Sequence, residues 1–275
     1  MAADPPLSVN DLRHPEDHFS RQVGMQVEAD GADGVVGSFR ARPAMWGTAS
    51  NRLRIALLAT AFDNAAGQIP SPPRFPTVDL RAQLVAAPPA DGPVEVVGRP
   101  LRIGRKLIVS EFEARSPDGA VFGRGTATMT NDHHPFEQPA DWTPTTWIPS
   151  FDRLLETRVV DACTLELDPS PRIANGMLRT PHGGAQMLFC ELASEHLAGG
   201  YRAAEHIDIH FLSRGEVGPL RAIATRTGMA GGLDLFRVHL VDHGANDALF
   251  AAATIMSRPL ERSELAQPLR NDSLG

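Results

Sequence analysis

Apolar and polar positions along this chain change their period in the same order twice. In the first half, Leu53 to Gly67 (LRIALLATAFDNAAG) is helix-like, and its run Ile55 to Ala66 is apolar on nearly every side, which predicts a helix buried in a core. An alternating stretch follows from Pro76 to Val85. Two more strand-like stretches lie within Val94 to Ser116, and a last one runs from Ala120 to Thr130. In the second half, Gly183 to Gly200 predicts a helix. Glu205 to Ser213, Leu220 to Gly231, Leu233 to Asp242 and Ala248 to Met256 predict strands. The strand readings rest on β-branched and aromatic enrichment bounded by Gly, Pro and Asp-Gly. More extended chain precedes each helix: QVGMQVEA and GVVGSFRAR in the first half, LLETRVVDACTLEL in the second.

The two series superimpose at a nearly constant offset. Asp63 falls on Glu191, Phe122 on Phe250 and Thr126 on Thr254, each 128 residues apart, and Val78-Asp79-Leu80 falls on Ile207-Asp208-Ile209 at 129. Shared order, element type and spacing point to two copies of one unit, a helix followed by an antiparallel meander. The turn-rich stretch Asn131 to Ser150 links them, which sets the units at 1–137 and 138–275.

Composition narrows the class without naming a function. A 275-residue chain with 42% hydrophobic and 21% charged residues is an ordinary globular protein that needs no disulfide or metal staple. A net charge of −7 argues against a protein that works by neutralising phosphate backbones, so nucleic acid is not an expected partner. No run is apolar for the ~18 residues that a bilayer span needs. MAADPPLSVNDL has acid and proline where a secretory leader has a basic cluster and an apolar core. With only two cysteines, Cys163 and Cys190, these features favour the cytoplasm. Lys106 is the single lysine among 26 basic residues.

Two places carry candidate chemistry. Asp63 sits inside the first apolar helix, followed by Asn64, with Ala59, Thr60, Ala66 and Gly67 one turn away leaving room beside the carboxylate. An acid there is either satisfied by local backbone donors or kept for a purpose, because burying it unpaired is costly. The second helix opens with Pro181-His182-Gly183-Gly184. Glycines at a helix start let a ligand approach unpaired N–H groups at the positive end of the dipole, a place for an anion or for a carbonyl oxygen becoming one. The bland alternative is a turn before a helix.

HGGAQMLFCELAS, with an acid nine residues after the histidine, resembles the hot dog fold thioesterases of the PaaI-like and 4-hydroxybenzoyl-CoA thioesterase group. PTVDLRAQLV, the Gly104-Arg105 turn and a closing strand resemble the same family's sheet. The likeness spans Val23 to Met129 and Leu155 to Met256. It implies an α+β double hot dog in which two units pair back to front and share composite sites. One site would combine His182, Gly183 and Gly184 with Asp63, the glycine backbone polarising a thioester carbonyl and the acid attacking it or activating water. The other would use Glu191, but Arg54-Ile55-Ala56 stands where the family has His-Gly-Gly, so one working site is expected, with Glu191 degenerate or supporting. Glu195 lies one turn from Glu191, so repulsion should raise one of their pKa values.

The implied activity is hydrolysis of an acyl-CoA, with no cofactor beyond the coenzyme A of the substrate and further association of the double unit into an oligomer. Asn64 and Gly67 would line the substrate, and Arg102, Arg105 and Lys106, with Arg99 nearby, would hold coenzyme A phosphates; a solvated hairpin accounts for the same basic stretch. The rival reading is a non-catalytic hot dog that binds acyl-CoA or lipid. A hot dog hydratase is weaker, because the His182-to-Glu191 spacing differs.

Other signals point elsewhere or nowhere. His206, Asp208 and His210 share a strand face and could hold a metal, but Asp208 repeats Asp79, which has no flanking histidines, so a sheet-surface role is favoured. His133 and His134 sit in the linker. Cys190 reads as core filler. GxSxG, P-loop and HExxH motifs are absent, and Gly123-Arg124-Gly125 lies in a strand with no helix after it.

Overall fold

The computed structural model describes residues 15, 17–30, 34–47, 49–69, 75–132, 144–175 and 180–265. His133, His134 and the 137/138 junction lie outside them. The fold is α+β. Its strands are β1 (Gln26–Asp30), β2 (Gly34–Ala41), β3 (Phe75–Leu84), β4 (Gly92–Ile103), β5 (Leu107–Arg115), β6 (Val121–Asp132), β7 (Arg158–Val159), β8 (Thr164–Leu167), β9 (Arg202–Phe211), β10 (Leu220–Ala230), β11 (Leu233–Asp242) and β12 (Ala248–Pro259). Among the described residues the α-helices are α1 (Phe19–Val23), α2 (Ile55–Ala66), α3 (Phe151–Leu154) and α4 (Gly183–Leu197). None of them is long and apolar enough to cross a membrane.

The strands form one antiparallel sheet in the order β1-β2-β4-β5-β6-β3-β9-β12-β11-β10-β8-β7. Read from the middle outwards, each side gives the same succession of elements. The centre is the β3–β9 ladder, where Leu80 faces Ile209, Asp79 faces His210 and Arg81 faces Asp208. Inner-face residues of these strands, Leu80, Ala82, Ile207 and Ile209, are fully buried.

α2 and α4 lie side by side against the inner face. α2 buries Ile55, Leu57, Leu58, Ala61, Phe62 and Ala65, and each fully buried Leu, Ile or Phe contributes about 1.5–3 kcal/mol. The Gly123 and Gly125 motif has its purpose here. A Cβ would come within 2.6 Å of Leu58 Cδ2 at Gly123 and within 2.5 Å of Phe62 Cδ2 at Gly125, so bare backbone on β6 lets α2 settle onto the sheet. The helices run antiparallel, because the start of each meets an acid of the other: Asp63 of α2 approaches Gly183, and Glu191 of α4 accepts from the Ala56 N–H.

The short helices α1 and α3 are additions to what periodicity predicts. Gln22 and Val23, read as extended chain, close α1, which stops at Gly24 in the left-handed region (φ 71°). Phe19 of α1 packs edge-on to Phe151 of α3 at 5.3 Å and lies 6.1 Å from the His182 ring. This places α1 beside the start of α4.

Candidate active site

The start of α4 is built by its sequence. His182 is the N-cap, with extended backbone, and its Nδ1 accepts from the Gly184 N–H at 3.0 Å. A ring that accepts at Nδ1 carries its proton on Nε2. Burial pushes this imidazole below its ordinary pKa, with the Asp63 charge opposing, so the neutral acceptor form is favoured.

The two glycines serve different neighbours. A Cβ on Gly184 would stand 2.1 Å from Thr60 Oγ1 and 2.8 Å from Phe19 Cε1, so this residue is glycine because α2 and α1 press against it. A Cβ on Gly183 would stand 3.1 Å from Asp63 Oδ2 and 3.1 Å from the Phe211 ring. The structure therefore brings Asp63, His182, Gly183 and Gly184 together. It also alters the division of labour: the Gly184 N–H is occupied by His182, whereas the Gly183 N–H, in the first turn of the helix, has no partner among the described residues.

Asp63 is oriented by a residue that sequence reasoning missed. Thr77 Oγ1 donates to Asp63 Oδ1 at 2.6 Å, which leaves Oδ2 on the Gly183 side. Strict alternation along β3 puts Thr77 on the outer face with Asp79 and Arg81. The β3–β6 register shifts on both sides of Thr77, and this irregularity turns its hydroxyl to the helix. Phe211, at the end of β9, is a second missed neighbour. Asn64 receives a 3.3 Å hydrogen bond from Ser20 on Oδ1, while its buried Nδ2 has no partner among the described residues. Gly67 ends α2, its N–H donating to the Asp63 carbonyl at 3.1 Å.

The equivalent corner at the other end is filled. Glu191 is 2% exposed; its Oε2 accepts from the Ala56 N–H at 3.0 Å and its Oε1 from Arg54 at 3.1 Å. Arg54, also 2% exposed, donates to Glu195 at 2.8 and 3.0 Å and forms a fork with Asp152 at 2.7 Å on both oxygens. Burial works against the Arg54 charge, but Glu195, Glu191 and Asp152 outweigh it and hold the guanidinium above its ordinary pKa. Burial pushes Glu191 up to about 7 despite the pull of Arg54, and burial also raises Glu195. The expected repulsion between these glutamates is present, but desolvation is the larger cause. The helix-start N–H that has no partner among the described residues at Gly183 meets a protein carboxylate at Ala56.

Arg102, Arg105 and Lys106 are exposed on the β4–β5 hairpin. Ladder by ladder, Ile103 faces Ile108, Ile108 faces Met129 and Met129 faces Thr77. The hairpin thus lies at the Thr77 end of the sheet, three strand spacings or ~14 Å along it. The strand-face cluster differs from expectation: Asp79, not His206, joins Asp208 and His210, with donor atoms within 4.8 Å of one another. His210 Nδ1 is 2.9 Å from Asp79 and Arg81 faces Asp208, so these acids already have basic neighbours. Cys190 is buried, and burial pushes its thiol far above the range of a nucleophile.

No protein-family profile matches the sequence, and no curated protein matches it. Solved structures do. A tesB protein of Mycobacterium avium subsp. paratuberculosis has a TM-score of 0.60 at 13% identity, covering 93% of this chain and 100% of that one. A conserved protein of unknown function with a hot dog fold from Alicyclobacillus acidocaldarius has a TM-score of 0.58 at 14% identity, covering 92% and 99%. The acyl-CoA thioesterase II TesB2 of Mycobacterium marinum has a TM-score of 0.53 at 14% identity, covering 91% and 99%. At these identities the likeness establishes the fold, and the chain has the hot dog fold.

Proposed function

We propose, with the hot dog fold as premise, that this chain is a thioester hydrolase. It is read as two hot dog units, 1–137 and 138–275, cleaving an acyl-CoA to free acid and coenzyme A at one composite site between them. The observation that carries this is the meeting of the Asp63 carboxylate with the Gly183 turn, one carboxylate oxygen held by Thr77 and the other directed at the helix start. The names of the similar structures, thioesterases among them, support the same reading.

The thioester carbonyl oxygen lies at the Gly183 N–H, where the α4 dipole stabilises the charge that develops on it. Asp63 takes a proton from water, the hydroxyl adds to the carbonyl carbon, and the C–S bond breaks. The thiolate recovers the proton, so water is split between acid and thiol. Direct attack by Asp63 through an anhydride has the same balance. A thioester is a good acyl donor, so an oxyanion donor and a base or nucleophile suffice. His182 is a positioning residue that caps α4. Asn64 Nδ2 donates to the bound substrate, and Gly67 bounds its channel. Arg102, Arg105 and Lys106 hold phosphates, and Glu191 is structural.

The test is thiol release from short, long and aromatic acyl-CoAs by wild type, Asp63→Asn and Glu191→Gln. Turnover should fall ~10²–10⁴-fold in Asp63→Asn and persist in Glu191→Gln. Saturable binding without any turnover by wild type would make the chain an acyl-CoA or lipid binder instead. Loss through Glu191 alone would place the chemistry at the other corner.

A further inference from the structure

On the outer face of the sheet the halves differ at the β3–β9 seam itself. Asp79 and Asp208 are repeats of one position, and so are Arg81 and His210, each pair 129 residues apart. The ladder sets Asp79 opposite His210 and Arg81 opposite Asp208. These residues alternate with the buried Leu80 and Ile209, so they point away from the helices. Arginine in both halves would give each acid its own cation. His210 stands in place of one, and a carboxylate oxygen of Asp79, one of Asp208 and a ring nitrogen of His210 lie within 4.8 Å of one another.

One charge in this group is left unanswered. His210 Nδ1 is 2.9 Å from Asp79 Oδ2, but the Asp208 carboxylate has no hydrogen bond or salt bridge among the described residues. Arg81 is its neighbour across the ladder without closing an ion pair. Both acids are half-buried, and like charges at this spacing repel. A proton on His210 offsets one of them, whereas a divalent cation offsets both. On zinc, such donors sit ~2.0–2.2 Å from the ion and so ~3.4 Å apart, which side-chain rotation can reach from the present spacing. The ion takes the place of the proton on Nδ1, which moves to Nε2 or to water. On the flanking strands Thr128 lies opposite Asp79, Thr254 opposite Asp208 and Ala252 opposite His210, all small enough to leave room for an ion and its waters. The imidazole selects the ion, because magnesium and calcium prefer oxygen donors. We propose that Asp79, Asp208 and His210 bind one divalent ion of the zinc class, tying the first half to the second. The site lies on the opposite face of the sheet from the helix that carries Asp63, and it does not depend on the thioesterase reading.

The test is calorimetric titration of zinc chloride, and separately of magnesium chloride, into the chelator-treated, untagged full chain. Zinc should bind saturably at one ion per chain, and magnesium should not displace it. At zinc 100-fold above its Kd, Tm should rise ~5 °C. His210→Ala and Asp208→Asn should each weaken binding by more than the ~10-fold that a lost outer-shell contact costs. Arg81→Gln removes an opposing charge and should tighten binding ~3-fold or more. No saturable binding below ~1 mM zinc, or equal affinity in wild type and His210→Ala, overturns the proposal. So does magnesium binding as tightly as zinc. Should either weakening variant fail to fold, cobalt(II) bound to wild type gives the answer by NMR. The His210 ring signals should then carry the largest paramagnetic shift, and a largest shift on any other histidine overturns the assignment.

Discussion

Arg54→Met removes one guanidinium that is 2% exposed and leaves Asp152, Glu191 and Glu195 facing one another without a cation. Breaking a buried pair by deleting one partner costs about 3–5 kcal/mol, chiefly the desolvation of the charge left behind. At ~2.1 cal/mol/K of unfolding entropy per residue, a chain of 275 residues loses ~2 °C of Tm per kcal/mol, so a fall of ~5–9 °C is expected at pH 8. The penalty must shrink as pH falls, because protonated acids need no cation. In wild type the same chemistry has a definite sign. Glu191 is raised from 4.5 to about 7, so the folded state binds more protons than the unfolded state between those values. Its contribution is full below about 4.5 and is lost as pH rises through about 7. Differential scanning fluorimetry of wild type and Arg54→Met from pH 5 to 8 reads both effects. A Tm loss that is equal at pH 5 and pH 8, or below ~1 °C at pH 8, would refute the reasoning.

The glycine pair separates stability from chemistry. Gly184→Ala drives a Cβ to 2.1 Å from Thr60 Oγ1, so an overpacking cost of about 1–3 kcal/mol is expected by chemical denaturation, partly recovered by adding Thr60→Ala. Gly183→Ala meets the Asp63 carboxylate instead and should lower kcat ~10-fold or more with a Tm near wild type. Thr77→Val should lower kcat by a similar ~10-fold with KM nearly unchanged, since it frees Asp63 to rotate. His182→Ala should cost about 1 kcal/mol of cap energy in a urea titration. Because burial holds the His182 pKa below 6.5, the stability from its neutral form is full above 6.5 and is lost as pH falls below it.

Both long helices and the meanders were legible because each is long enough for its period to show, and because the internal offset let one half vouch for the other. The β10 and β11 boundaries differ from the reading by one residue at most. Short α1 and α3 were not legible, since helices of five and four residues have too few turns to display a period. The approach of Asp63 to the HGG turn could be anticipated only through the resemblance, since nothing local to residue 63 announces a partner 120 positions away. Arg54 marks the departure from His-Gly-Gly, but its bonds to Asp152 and to the Glu191–Glu195 turn join three distant stretches of sequence and leave no periodic trace. Thr77 was hidden by the alternation itself, since an irregularity in one ladder reverses the face that parity assigns.

The β3–β9 ladder makes the pairing of the two halves intramolecular, and so independent of protein concentration. Two identical subunits joined this way must be alike at both corners, because every substitution appears twice. Here each corner has its own residues, and a guanidinium can fill one while glycines let the Asp63 carboxylate approach the helix start at the other. Stoichiometry follows directly. A tight inhibitor of the proposed reaction should titrate one equivalent per 29.6 kDa chain, where a symmetric pair of single units would take two.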